Sequence, residues 1–250
     1  NIPMVDVQID LDAGSRRDPA DKPGLASVAA GQLASGIRAQ AGGHGPYAKA
    51  LDENQLGEAW ADLGASFGAS ASGDRLSFSL RSLSDADLLA KAAQLAARQM
   101  AHPAYPQSVW LRDRDKMAAA IRESLTRPGT VAQNRFADAV YSGHPYGWRI
   151  TPESLQRIGV ADLQRWHAQA LRSCRAVVSV VGDVGREQAD ALVTQLLALW
   201  PQGRCESLPA VAEVPALKAP QDIRLPFDSA QAHVLMGQPG HKRNDPDFFA

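Results

Sequence analysis

The chain has 250 residues, 45% of them apolar and 21% charged, and a formal net charge of −1, an ordinary globular balance with enough length for one sizeable core or two small ones. The basic residues are scattered and no apolar run approaches the length of a membrane span, so a nucleic-acid footprint and a transmembrane helix are both unsupported. The first residues also lack a charged stretch followed by an apolar one, the pattern of a secretory signal.

In chain order, Ile2–Leu11 alternates, with Val5, Val7, Ile9 and Leu11 on one face and Asp6, Gln8 and Asp10 on the other, the period of a half-buried strand. After the loop Arg17–Pro23, Gly24–Gly36 reads as one helix, opened by Pro23 and ended by Gly36. Ser27, Ala30 and Gly31 share a face of it at i, i+3, i+4 spacing. A Gly-rich loop at 41–45 precedes a second helix, Asp52–Leu63, with Leu56, Trp60 and Leu63 along a stripe. Two short strands, Ser66–Ser72 and Arg75–Arg81, meet at Gly73-Asp74, a hairpin turn.

Helices follow at Asp85–Met100, Gln107–Leu125 and Thr130–Tyr141, with a break at Pro128-Gly129, then a short Pro152–Ile158 segment and a helix at Val160–Leu171. Arg175–Val184 is a continuous apolar run ending in Gly-Asp and reads as a buried strand. It is no phosphate loop, because neither G-x-G-x-x-G nor G-K-[ST] surrounds it. A helix at Arg186–Trp200 leads into a linker, 201–220, with four prolines, and then Ile223–Phe227 and Ala230–Gly237 read as two strands. Cys174 and Cys205 fit neither a C-x-x-C site nor a disulfide framework, so two unpaired thiols are expected.

Several of these stretches, in order, resemble the pitrilysin and mitochondrial processing peptidase family of inverzincin metallopeptidases. Val5–Ser15, ending in Asp12-Ala13-Gly14-Ser15, is similar to the strand and D-x-G-S-like turn of that family; Asp21-Lys22-Pro23-Gly24-Leu25-Ala26 is similar to its D-x-x-G-L-A. Tyr141–Gly147 matches Y-x-x-H-P-Y-G, and Arg175–Asp183 resembles N-x-V-V-x-V-V-G-D. The resemblance covers nearly the whole chain and implies an α+β fold, a two-layer domain with helices packed on a mostly antiparallel sheet. Residues 1–200 would form this domain, 201–220 the linker, and 221–250 the first hairpin and helix start, at Asp245-Pro246, of a second, homologous domain.

Carried over by position, the first His of the family's H-x-x-E-H helix falls on Ser27, its Glu base on Ala30 and its second His on Gly31. A hydroxyl, a methyl group and a hydrogen cannot replace two imidazoles and a carboxylate, so no catalytic or metal-ligating residue is expected in this chain. Ser27 as a nucleophile would need a base in the same cleft, and neither His nor Lys lies near it on that helix. The family's G-x-x-x-N-A-x-T-x-x-D strand, which pairs with extended substrate, resembles Gly64–Asp74, with Gly68 in place of Asn and Ala71 in place of Thr; Gly68, Ala69, Ser70 and Ala71 are the implied peptide-binding positions. The family's third ligand, a Glu, would fall near Asp113, Asp115 or Glu123, here expected to be solvated helix charges, and His144 and His167 are expected to serve packing.

The resemblance thus implies a non-catalytic subunit that closes a peptide chamber with a homologous partner. The partner would carry H-x-x-E-H and the zinc, and this chain no cofactor. An assisting Arg/Tyr pair is expected beyond Ala250, the substrate would be unfolded peptide, and the compartment the periplasm. The alternative is a stand-alone polypeptide-binding or structural core protein of the same fold.

Overall fold

The structure, a computed structural model, describes residues 2–40, 48–243 and 245–249; the Gly-rich loop expected at 41–45 lies outside them. Its strands are β1 (Met4–Leu11), β2 (Gly36–Ile37), β3 (Leu51–Asp52), β4 (Ser66–Ala71), β5 (Leu76–Leu83) and β6 (Val177–Gly182). Its helices are α1 (Leu25–Gly31), α2 (Glu53–Asp62), α3 (Ala86–Ala101), α4 (Gln107–Ser124), α5 (Pro128–Val140), α6 (Pro152–Arg157), α7 (Val160–Ala170) and α8 (Arg186–Leu197).

The main sheet has the order β4-β5-β1-β6 and is antiparallel throughout. The alternation of β1 explains its central place: Val5, Val7, Ile9 and Leu11 are buried and face the helices with Leu76, Phe78 and Leu80 of β5. The opposite face is polar, and there Arg81 forms a two-bond pair with Asp6 (2.6 and 3.0 Å) while Ser77 donates to Asp10 (2.6 Å). One apolar face covered by helices and one polar face in water make a two-layer α+β domain.

The structure refines or corrects the sequence reading in several places. The helix expected over 24–36 ends as α-helix at Gly31, passes through a 3-10 turn at Gln32–Ser35 and becomes β2, which pairs Gly36 with Asp52 and Ile37 with Leu51. The break expected near Pro128-Gly129 falls at 125–127, and Pro128 itself starts α5, where its missing N–H has no partner to lose. β6 is not buried on both faces: it is an edge strand bonded to β1 alone, and Val177 and Val181 are 66% and 70% exposed. Cys174 and Cys205 are not free thiols but a disulfide, with Cα atoms 5.9 Å apart.

The disulfide follows from how the chain returns. The approach to β6 runs beside the start of the linker, where the Ser173 hydroxyl donates to the Pro201 carbonyl (3.1 Å) and the Arg175 guanidinium to that of Glu206 (3.0 Å). Closing this loop of 31 residues stabilises the fold by about 4 kcal/mol in the chain-entropy account. Beyond the linker, Ile223–Phe227 and Ala230–Gly237, expected as two strands, form none, and 245–249, expected as a helix start, form a bend and turns. Ile223, Leu225, Phe227, Val234 and Met236 lie exposed, and all but Val234 line a cavity that this segment forms with Val131, Phe136 and Val140 of α5.

Candidate functional site

The site is built around α1. Its N-terminus is held by Asp18, a buried carboxylate that accepts the N–H groups of Gly24 (2.7 Å) and Ala26 (2.9 Å), where the helix leaves orphan donors and a partial positive charge. Burial is the largest influence on Asp18 and pushes its pKa up to about 6 against the opposing pull of those N–H groups. Gly24 sits at φ +96°, and a Cβ there would collide with the Ile150 side chain. Leu25, Ala26, Val28, Ala29 and Ala30 are buried, so small side chains let α1 press on the sheet and α7.

The turn before it explains the Asp12-Ala13-Gly14-Ser15 stretch. A Cβ on Gly14 would stand 2.5 Å from the backbone of Asp74 and Arg75, because the turn docks directly on the β4–β5 hairpin through Ser15 N–H to Ser72 C=O (2.8 Å) and Arg16 N–H to Gly73 C=O (2.9 Å). Arg16 then bonds Asp12 and Asp74 (3.0 Å each), and Arg17 clasps Asp12 (3.1 and 2.6 Å) and donates to the Pro209 carbonyl of the linker (2.6 Å). The Tyr146 hydroxyl donates to Asp74 (2.7 Å). His144 is buried beside it: Nδ1 accepts the Tyr146 N–H (3.1 Å), so the proton sits on Nε2 and is donated to the Ala212 carbonyl (2.8 Å). His144 therefore clamps the linker. His167, through Nε2, holds the Met100 carbonyl (2.6 Å).

On this frame the three positions of the zinc motif differ in surroundings. Ser27 is half-buried and its hydroxyl donates to the Ala71 carbonyl of β4 (3.4 Å). Ala30 is buried, and Gly31 is exposed with open space where a Cβ would be. Along β4, Gly68 and Ser70 are exposed, while Ala69 and Ala71 are half-buried and pack against the core. β4 forms the sheet edge nearest α1.

Of the three acidic residues considered on α4, Asp113 comes nearest. It accepts from Gln32 (2.8 Å), the residue after Gly31, whose own oxygen accepts from Ser35 (3.0 Å). The hydrogen bond from Arg112 is the largest influence on Asp113 and holds its carboxyl below the usual range. Asp115 pairs with Arg114 and Glu123 with Arg127. Among the described residues, no group of three His, Cys, Asp or Glu could hold a metal. A zinc ion does not fit the side chains offered by positions 27, 30 and 31, whose only heteroatom is the Ser27 hydroxyl.

Sequence reasoning missed Asp18 and Gln32. Asp18 lies six residues before Gly24, outside any standard cap position, and only the folded loop brings it to the helix end. An acidic residue just ahead of a helix that lacks its own capping side chain was the available signal.

The site is thus a helix seated against edge strand β4 in a two-layer α+β domain, with no metal-ligating side chain at positions 27, 30 and 31. Residues 157–250 match the family model described as the peptidase M16 inactive domain. Among solved structures, the chain is similar to a peptidase M16 inactive domain from Pseudomonas fluorescens, at 29% identity and TM-score 0.77, over 88% of this chain and 50% of that one. It also shares its fold with a protease from Helicobacter pylori (21% identity, TM-score 0.66, 84% of this chain and 48% of that one). The same holds for the periplasmic protease PqqL from Escherichia coli (16%, TM-score 0.65, 84% and 22%). The chain thus spans half or less of the length of these structures. No curated protein matches it. The inactive-domain match of residues 157–250 and the shared fold agree with the ordered motifs, and the positions of the H-x-x-E-H residues hold Ser27, Ala30 and Gly31.

Proposed function

We propose that this chain is a catalytically inactive subunit of a two-chain zinc metallopeptidase, closing a peptide chamber and assisting a homologous partner that carries H-x-x-E-H and the zinc. The observation that supports this is the contrast within α1: the helix keeps its seat against β4, with Ser27 bonded to the Ala71 carbonyl, while its ligand positions hold no ligands. The outer edge of β4 leaves backbone groups unpaired by the sheet, and Gly68–Ala71 has only small side chains, so an extended peptide could add there as a further strand. The second homologous domain, its assisting Arg and Tyr, and the division at the 201–220 linker belong to the same proposal.

Residence in the periplasm is supported by the Cys174–Cys205 disulfide, since such bonds persist in oxidising compartments, and by the periplasmic protease among the structural relatives. Among the described residues no helix is long and apolar enough to cross a membrane. The experiment is peptide turnover by a saturating H-x-x-E-H partner with and without this chain. Turnover well above the partner's own supports the proposal; unchanged turnover, with peptide bound by this chain alone, favours a stand-alone polypeptide-binding protein.

A further inference from the structure

A cavity of about 200 Å³ lies between the α3–α4 connection and α7, room for a few water molecules at about 30 Å³ each. Arg38, Tyr105, Gln164 and His167 line it, with Pro103 and Ala168. Arg98, bonded to the backbone of Arg38 and outside this lining, is 2% exposed. One of its nitrogens donates to the Arg38 carbonyl, while Nε and Nη1 are buried without a partner. Backbone bonds knit the same groups together, from Arg38 N–H to His102 C=O and from His102 N–H to Arg98 C=O (2.8 Å each).

The charge here is one-sided. Residues 33–51, 98–111 and 163–175 contain no Asp or Glu, although the whole chain is nearly neutral. Neither Arg38 nor Arg98 has an ion pair among the described residues, and the acid nearest to His167 along α7, Asp162, is taken by Lys22 (2.6 Å) and Arg165 (3.3 Å). Burial and the neighbouring guanidiniums hold His102 below its ordinary pKa; burial, then Arg38 and His102, does the same to His167. A buried guanidinium with unmet donors and no counter-charge is costly unless an anion offsets it.

Tyr105 adds a second sign. It is the one non-glycine residue among those described with positive φ (+46°), a conformation held against steric preference of the kind that gathers at binding sites. Its hydroxyl is committed to the Ala29 carbonyl of α1 (3.2 Å), so the ring is fixed as a cavity wall against the edge of His167.

We propose that this cavity binds a tetrahedral oxyanion of the phosphate or sulfate kind, with Arg38 as the contacting charge, Gln164 as the hydrogen-bonding wall, His167 and Tyr105 as packing walls, and Arg98, bonded to the Arg38 carbonyl, adding positive field. A doubly charged ion suits two guanidiniums better than a carboxylate does. The test is an NMR titration of the whole chain with sulfate, inorganic phosphate, glycerol phosphate and acetate against a chloride background of constant ionic strength. Sulfate and phosphate should saturate resonances of Tyr105, Gln164 and His167. Arg38→Gln, a change at an exposed residue, should weaken binding about tenfold or more, as loss of a charge-assisted contact does, while Arg186→Gln on distant α8 should leave it unchanged. Tighter binding of glycerol phosphate than of phosphate marks an organic phosphate as the ligand; the reverse marks the free ion. Acetate binding as tightly as sulfate, or an Arg38→Gln variant that binds sulfate like the parent, would overturn the proposal.

Discussion

The two sides of α1 have different physics. On the packed side, Leu25, Ala26, Val28 and Ala29 are buried, Gly24 stands against Ile150 and Asp18 grips the first turn, so each residue answers to a neighbour at contact distance. On the side of Ser27 and Gly31, a side chain meets one strand carbonyl or open space. The difference teaches that the fold depends on the packed side alone: a helix can give up its metal chemistry while keeping its place, because ligands add little to packing and much to reactivity.

The largest effect belongs to the packed side. Gly24→Val places a β-branched side chain at φ +96° against Ile150, and chemical denaturation should show a loss of about 3 kcal/mol or more. Retained stability would erase the contrast.

Asp18 sharpens it through pH. Its folded pKa, about 6, lies above the ordinary 3.8, so the stability linked to its protonated form is full below pH 4 and is lost as pH rises through 6. Relative to Asp18→Asn, the parent chain should lose about 3 kcal/mol between pH 4 and pH 7, at about 1.4 kcal/mol per pKa unit. Parallel stability curves for the two proteins would mean that the carboxylate is not confined as described.

On the open side the signs reverse or vanish. Gly31→Ala fills empty space and removes the glycine penalty inside a helix, so a gain of about 0.5–1 kcal/mol should appear in the melting curve. Destabilisation there would show a hidden contact. Smallest of all, Ser27→Ala gives up one long hydrogen bond of 3.4 Å and should shift stability by no more than about 0.5 kcal/mol.

Much of the frame was legible in the sequence because it rests on local pattern. The alternation of β1 named the buried face, and Gly73-Asp74 marked the hairpin whose backbone excludes a Cβ at Gly14. What depended on distant chain was not legible. A run of valines reads the same whether a strand is central or at an edge, and the lateral order of the sheet leaves Val177 and Val181 in the open. Cys174 and Cys205 carried no spacing signal, since their meeting depends on the linker turning back along the approach to β6. The end of α1 at Gly31 was hidden as well, because β2 exists only through β3. At the candidate site, residue identities at 27, 30 and 31 could be read directly, but the bond from Ser27 to β4 and the Gln32–Asp113 contact needed the fold.

The central claim, a zinc-peptidase helix kept without its chemistry, is tested most directly by metal analysis of the purified chain after dialysis, paired with an assay on an unfolded peptide. The account predicts no stoichiometric zinc and no hydrolysis, with or without added zinc. One tightly held zinc per chain together with peptide cleavage would contradict it.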